Sequence, residues 1–197
     1  MITENKGVVT GILIAATLWF FMFSPWTAPM INFWGAMTFS AVFLTCVSRW
    51  LCPEMFKELL FGGKQIVLGF AIAFVLWWVF WIGDKMSQLI FNFARPQVDM
   101  IYSMGNGTSS VIIAILLLLI IGPAEEIFWR GFVQRRLMLR FGSNIGFIAT
   151  TVCYALVHIW SFNFMLVMAA LVVGFCWGLT YRFFPRLLPA LIVSHAV

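Results

Sequence analysis

Long apolar runs separated by short polar breaks dominate the chain. Runs of membrane-spanning length lie near residues 8–23, 30–51, 66–83, 109–134, 145–161 and 164–181. A seventh starts near Leu187 and reaches Val197, so it is expected as a truncated helix. Crossing a hydrocarbon core of about 30 Å takes roughly 20 helical residues. None of the runs alternates with a period of two. Lipid tolerates no unsatisfied backbone, which leaves helices and excludes a barrel. The pattern predicts an all-α, polytopic membrane helix bundle of about seven transmembrane helices, the last one truncated, in a single domain over residues 1–197. The first run follows Lys6 and has the length of a signal peptide. Cleavage near Thr27-Ala28 would leave Pro29 as the new N-terminus, so the run is read as a retained helix.

The breaks carry their own signals. Pro53–Phe61 reads as a short amphipathic helix on the membrane surface. Asp84–Arg95 either extends the third helix or lies on the outer surface. Asn106-Gly107-Thr108-Ser109 is a turn with an N-cap. Phe141-Gly142-Ser143-Asn144 is a tight turn, with the glycine stopping one helix and Ser143 or Asn144 capping the next.

Composition sharpens the class. Apolar residues make up 63% of the chain and charged residues 10%, against roughly half and a quarter in a soluble domain. That balance excludes a disordered chain and a nucleic-acid binder, so the net charge of +5 is read as topology. Assigning the loops alternately puts Lys6, Arg49, Lys57, Lys64, Arg130, Arg135, Arg136, Arg140, Arg182 and Arg186 on one side. Only Lys85 and Arg95, of the 12 basic residues, fall on the other. The positive-inside rule then makes the N-terminus cytoplasmic. The four cysteines (Cys46, Cys52, Cys153, Cys176) lie in or beside apolar segments without a CxxC pair, as free thiols rather than a disulfide framework. No internal repeat or low-complexity segment is present, which argues against an inverted-repeat transporter.

Seven carboxylates occur, and Glu4, Glu54, Glu58, Asp84 and Asp99 fall in loops or at helix ends. Glu125 and Glu126 do not: they sit side by side in ILLLLIIGPAEEIFWRGF. A charge at a membrane helix centre costs about 3 kcal/mol. The chain's two histidines, His158 and His195, also fall in apolar helices. Glu126 and Arg130 are four apart and can pair on one helical face, while Glu125 is turned away by about 100°. In a hairpin folded at the Phe141–Asn144 turn, Glu125 and His158 lie level, about 21–23 Å from the turn. His195 lies about 13 Å beyond Arg186 by the same rise. A lone membrane Glu or His often only joins two helices, and Tyr154, one turn before His158, serves as core. Phe128, Trp129, Phe132, Trp160 and Trp177 read as packing. The carboxylate pair, two histidines and matching depths together favour a functional site.

A carboxylate and imidazoles at a water-accessible site can deprotonate water and polarise a carbonyl, the chemistry of peptide or ester hydrolysis. There is no HExxH helix, no GxSxG elbow and no Asp in an apolar run. A proton relay through Glu125 and His158 in a transporter is the competing class, disfavoured by one one-sided cluster without a repeat. A Glu/His hydrolase remains.

Three motifs now carry a resemblance. Glu125-Glu126-x-x-x-Arg130 matches the EExxxR motif of the CPBP (CAAX protease and bacteriocin-processing) intramembrane proteases. Tyr154-Ala155-Leu156-Val157-His158 resembles the family's FxxxH, with Tyr for Phe, and His195 resembles the histidine that opens HxxxN or HxxxD. The last position of that motif falls two residues past Val197. The resemblance covers residues 110–197; the division it suggests is peripheral helices over 1–108 and a family-like catalytic core over 109–197. It implies an intramembrane endopeptidase cutting near the cytoplasmic face. Glu125 is implied as the water-activating base, His158 as a holder of that water, His195 as part of the oxyanion site, and Glu126–Arg130 as an ordering ion pair. The expected mechanism is metal-free; the alternative is zinc held by Glu125, His158 and His195. Implied partners are membrane lipid and a peptide or membrane-protein substrate, prenylated or not, in a multi-pass setting such as the bacterial inner membrane. The competing reading is a non-catalytic immunity or scaffold protein of the same fold.

Overall fold

The computed structural model describes residues 2–197, with side chains described from Gly7 onward. The side chains of Glu4 and Lys6 lie outside the described residues. Every element is helical, and no strand occurs among the described residues. The helices are α1 (Ile2–Phe23), α2 (Phe33–Leu51), α3 (Pro53–Lys57), α4 (Gly63–Ile90), α5 (Ala94–Ser103), α6 (Ser110–Phe141), α7 (Ser143–Leu156), α8 (Phe164–Phe183) and α9 (Leu188–Ala196). Four segments are long and apolar enough to cross a membrane: α4, α6, residues 143–161 and α8. The remaining apolar helices, α1, α2 and α9, pack into the same bundle.

The outer surface is that of a protein in lipid. Only 11% of the most apolar stretch of α4 is buried, and Phe70, Phe74, Trp77, Trp78 and Trp81 point outward. Water would penalise so broad an apolar face; hydrocarbon does not. The chain is an integral membrane protein.

Several local expectations change. α4 continues to Ile90, so Asp84 and Lys85 lie inside a helix and not at its end. Gly83 alone costs about 1 kcal/mol in a helix interior, too little to stop it. Asp84 sits beside Lys85 at 4.0 Å, and Arg95 pairs with Asp99 at 2.9 Å along α5. Gly142 separates α6 from α7 at φ +87°, a left-handed conformation that suits glycine. Gly142, not Ser143 or Asn144, stands at the N-cap of α7, and Ser109 stands at the N-cap of α6 as expected but makes no side-chain capping hydrogen bond. Asn144 instead accepts a hydrogen bond from Arg182. Side-chain caps come from Asn32 on α2 and Asn163 on α8.

The basic end of the bundle is tied by charge. Arg135 forks onto Glu58 at 2.7 and 2.8 Å, and Arg136 reaches Glu54 at 2.9 Å and the Leu51 carbonyl at 2.8 Å. Arg130, counted above with the loops, is sealed in the core at 1% exposure. The opposite end is joined by Trp34 donating to the Met104 carbonyl and Asn163 donating to the Gln97 carbonyl.

α6 is the axis of the molecule. Its residues 128–134 are all buried. Two π-helical stretches, Leu117–Ile121 and Ile127–Gln134, flank the α-helical Gly122–Glu126. Pro123 has no N–H to give, and such wide turns re-aim side chains where a ladder is interrupted. The segment so re-aimed carries both glutamates.

Candidate active site

The glutamate pair divides into two networks. Glu126 is fully buried, and one of its oxygens, Oε1, takes both Arg130 Nη1 at 2.9 Å and His195 Nδ1 at 2.8 Å. Arg130 Nη2 donates to the Gly174 carbonyl at 3.4 Å. The guanidinium lies over the rings of Tyr154 and Trp177, at 4.7 and 5.2 Å from their centroids. A buried cation is thus met by a carboxylate, a carbonyl and two aromatic faces, which together replace water. Trp177 also stacks on His195 at 4.0 Å and donates to Ser194 Oγ at 3.0 Å. It is a holder of His195 and more than packing.

Glu125 belongs to the second network. It is 7% exposed, and Tyr154 donates its phenolic hydrogen to Oε2 at 2.9 Å. Tyr154, read from sequence as core, is therefore the direct partner of Glu125. His158 follows one turn on, and its Nδ1 lies 2.9 Å from the Tyr154 carbonyl. Its Nε2 lies 3.1 Å from the indole Nε1 of Trp19 on α1. An indole N–H can only donate, so Nε2 accepts and the hydrogen of a neutral His158 resides on Nδ1, donated to the Tyr154 carbonyl. Sequence placed His158 within an apolar helix; α7 ends at Leu156, and His158 lies in the turn that leads to Ile159–Ser161.

A cavity of about 10 Å³ abuts Glu125 between α1, α2 and α6, lined by Trp19, Ala41, Leu44, Ala124, Glu125 and Trp129. That volume is of the order needed for one water molecule. Part of its wall is aromatic, with Trp19 and Trp129 meeting edge to face at 6.5 Å between centroids.

The geometry brings Glu125, Tyr154, His158 and Trp19 together, and separately Glu126, Arg130, His195 and Trp177. It joins His195 to Glu126 and not to Glu125. Glu125, His158 and His195 do not converge as a metal-binding group; no cluster of three or more His, Cys, Asp or Glu suited to a metal occurs among the described residues. Both ring nitrogens of His158 and Nδ1 of His195 are engaged elsewhere. A zinc ion does not fit this donor arrangement.

Close helix approach makes the second network. A Cβ at Gly122 would stand 2.9 Å from Ala196 Cα, in the residue after His195. α9 can therefore come near enough for His195 to reach Glu126 only over a glycine. Gly122→Ala is expected to push α9 outward and lower stability by about 1–3 kcal/mol, the cost of overpacking. Thermal unfolding in detergent checks this, and an unchanged midpoint would contradict it.

Trp19 is the residue that sequence did not flag, since an indole in a spanning run resembles any interfacial aromatic. Tyr154 had one usable signal: a hydroxyl at the position where the motif has Phe.

Comparison with known families bears on α6–α9. Residues 107–197 match the Rce1-like family, type II CAAX prenyl endopeptidases. The Rce1-like segment contains Glu125, Glu126, Arg130, Tyr154, His158 and His195, and it is consistent with the CPBP resemblance carried by the motifs. Those residues are thus similar to part of an endopeptidase family. Trp19 stands outside that segment, on α1, and donates to His158 within it. No curated protein and no solved structure gives a match.

Proposed function

We propose that this protein is an intramembrane endopeptidase that uses Glu125 to activate water against a peptide bond near the cytoplasmic membrane face. The observation that carries the reading is the buried Glu125 carboxylate, held by Tyr154 on one oxygen and bordering a water-sized cavity within the Rce1-like segment. Oε2 is committed to the phenol, which leaves Oε1 to accept a proton. In this mechanism water gives that proton to Glu125, and its oxygen attacks the peptide carbonyl carbon. The carbonyl electron pair moves onto oxygen, and Glu125 then delivers the proton to the departing amine. His195, anchored through Nδ1 to Glu126, has Nε2 left to donate to the oxyanion when the ring is protonated. The Glu126–Arg130 pair holds that ring in place. His158 helps to hold the water once the Trp19 indole has released Nε2. The mechanism is metal-free: Glu125, His158 and His195 form no metal-suited cluster among the described residues, and His158 would have to leave the Trp19 indole or the Tyr154 carbonyl to bind a cation.

The description of the matched family supports as substrate a prenylated peptide, or a membrane protein presenting an equivalent segment. The purified protein in liposomes is expected to cleave a fluorogenic prenylated peptide. Folded protein that leaves both prenylated and unprenylated peptides intact would contradict the proposal.

The cytoplasmic orientation has its own check. Ser143 is exposed in the turn between α6 and α7, at the basic end. A cysteine placed there in a Cys-free background is expected to resist an impermeant maleimide added outside intact cells. It is expected to react once the membrane is opened. Labelling from outside would invert the topology and put the catalytic reading on the wrong face.

A further inference from the structure

A second cavity, of about 570 Å³, opens at the basic end of the bundle, more than two helical turns along α6 from Glu125. Lys57, Arg135 and Arg186 line it, with Gln65 and Tyr181 as neutral polar groups. Its apolar wall includes Met55, Leu60 and Leu188.

The charges do not cancel. Glu58 is the lining's one carboxylate, and Arg135 occupies both its oxygens at 2.7 and 2.8 Å. The Arg135 hydrogen bonds hold the Glu58 carboxyl below its ordinary range, so it is ionised at neutral pH and stays with Arg135. Lys57 and Arg186 have no ion-pair partner among the described residues. Topology alone asks for basic residues at this end of the bundle. It does not ask for two unpaired ones to face one cavity with an apolar wall.

The surroundings narrow the occupant. Leu60 is 73% exposed, and Phe61, Phe183 and Phe184 are exposed beside the cavity's helices, marking a lipid-facing rim. A ligand that satisfies both halves has an anionic head and an apolar body. We infer that this cavity holds the phosphate headgroup of an anionic phospholipid, with Lys57 and Arg186 contacting the phosphate. Basic recesses between membrane helices on the cytoplasmic side suit such headgroups, and two cations at one phosphate form charge-assisted hydrogen bonds. The inference stands on this cavity alone and does not depend on peptide hydrolysis.

Native mass spectrometry of the purified full chain tests it, with phosphatidylglycerol titrated against phosphatidylcholine. The parent is expected to retain phosphatidylglycerol preferentially. The double variant Lys57→Gln/Arg186→Gln is expected to weaken that binding about tenfold, with phosphatidylcholine unaffected. Glu58→Gln acts in the opposite direction: it removes the pocket's negative charge, frees Arg135, and is expected to tighten phosphatidylglycerol binding. A damaged fold cannot produce that gain. Inorganic phosphate at millimolar concentration is expected to leave the lipid in place. Equal retention of the two lipids, or a double variant that binds like the parent, would overturn the site. Displacement by inorganic phosphate, together with phosphate binding in detergent alone, would assign the cavity to a soluble anion and overturn the lipid.

Discussion

Glu125→Gln is expected to reduce peptide cleavage by about 10²–10⁴-fold, the usual contribution of a positioned general base, while the bundle stays folded. Gln keeps the length and planar shape of Glu, and its carbonyl oxygen can still accept the Tyr154 hydroxyl that Glu125 accepts at 2.9 Å. It cannot take a proton from water. Folding is checked by thermal unfolding and by retention on size exclusion, and activity by turnover of the same peptide at equal folded protein. A folded Glu125→Gln protein that cleaves near the parent rate would remove Glu125 as the base.

The neighbouring glutamate should behave differently. Glu126→Ala is expected to cost about 3–5 kcal/mol of stability, because it leaves the buried Arg130 charge without its partner. Arg130 is 1% exposed and Glu126 is fully buried, so water cannot substitute for the lost carboxylate. The same change releases His195, which Glu126 holds at 2.8 Å. The expected result is a sharp loss of folded protein in detergent. The double variant Glu126→Met/Arg130→Met removes both charges and is expected to recover much of the stability without recovering activity. A buried pair replaced by apolar side chains of similar volume is often neutral or better. If Glu126→Ala unfolds at the parent's midpoint, the pair is not the structural tie described above. The two variants together separate adjacent residues by readout: one loses rate, the other loses fold.

Much of this arrangement was legible in the residues themselves. Apolar run lengths gave the bundle class, because a membrane restricts spanning segments to helices. Charge in hydrocarbon is costly, so Glu125, Glu126, Arg130, His158 and His195 stood out by being there at all. The helical repeat brought Glu126 to Arg130, and the glycine at 142 set a hairpin register that puts His158 level with Glu125; the role of Tyr154 as partner of Glu125 was not read. What escaped was long-range and directional. Nothing in α1 marks Trp19 as the donor to His158, 139 residues away. That contact depends on how α1 leans on α6. The engagement of His195 with Glu126 depends on the close passage of α9 over Gly122, and spacing along one helix cannot express it. The two alternatives for Asp84 stay open in the sequence for a local reason: a single glycine is a weak helix breaker, and α4 runs through Gly83 to Ile90.

Chelation during turnover tests the central claim most directly. The parent protein, purified and reconstituted, is assayed on the prenylated peptide before and after phenanthroline. The Glu125 mechanism gives cleavage at the same rate in both, since His158 and His195 are held by Trp19, the Tyr154 carbonyl and Glu126. Loss of cleavage with the chelator, restored by added zinc, would contradict it.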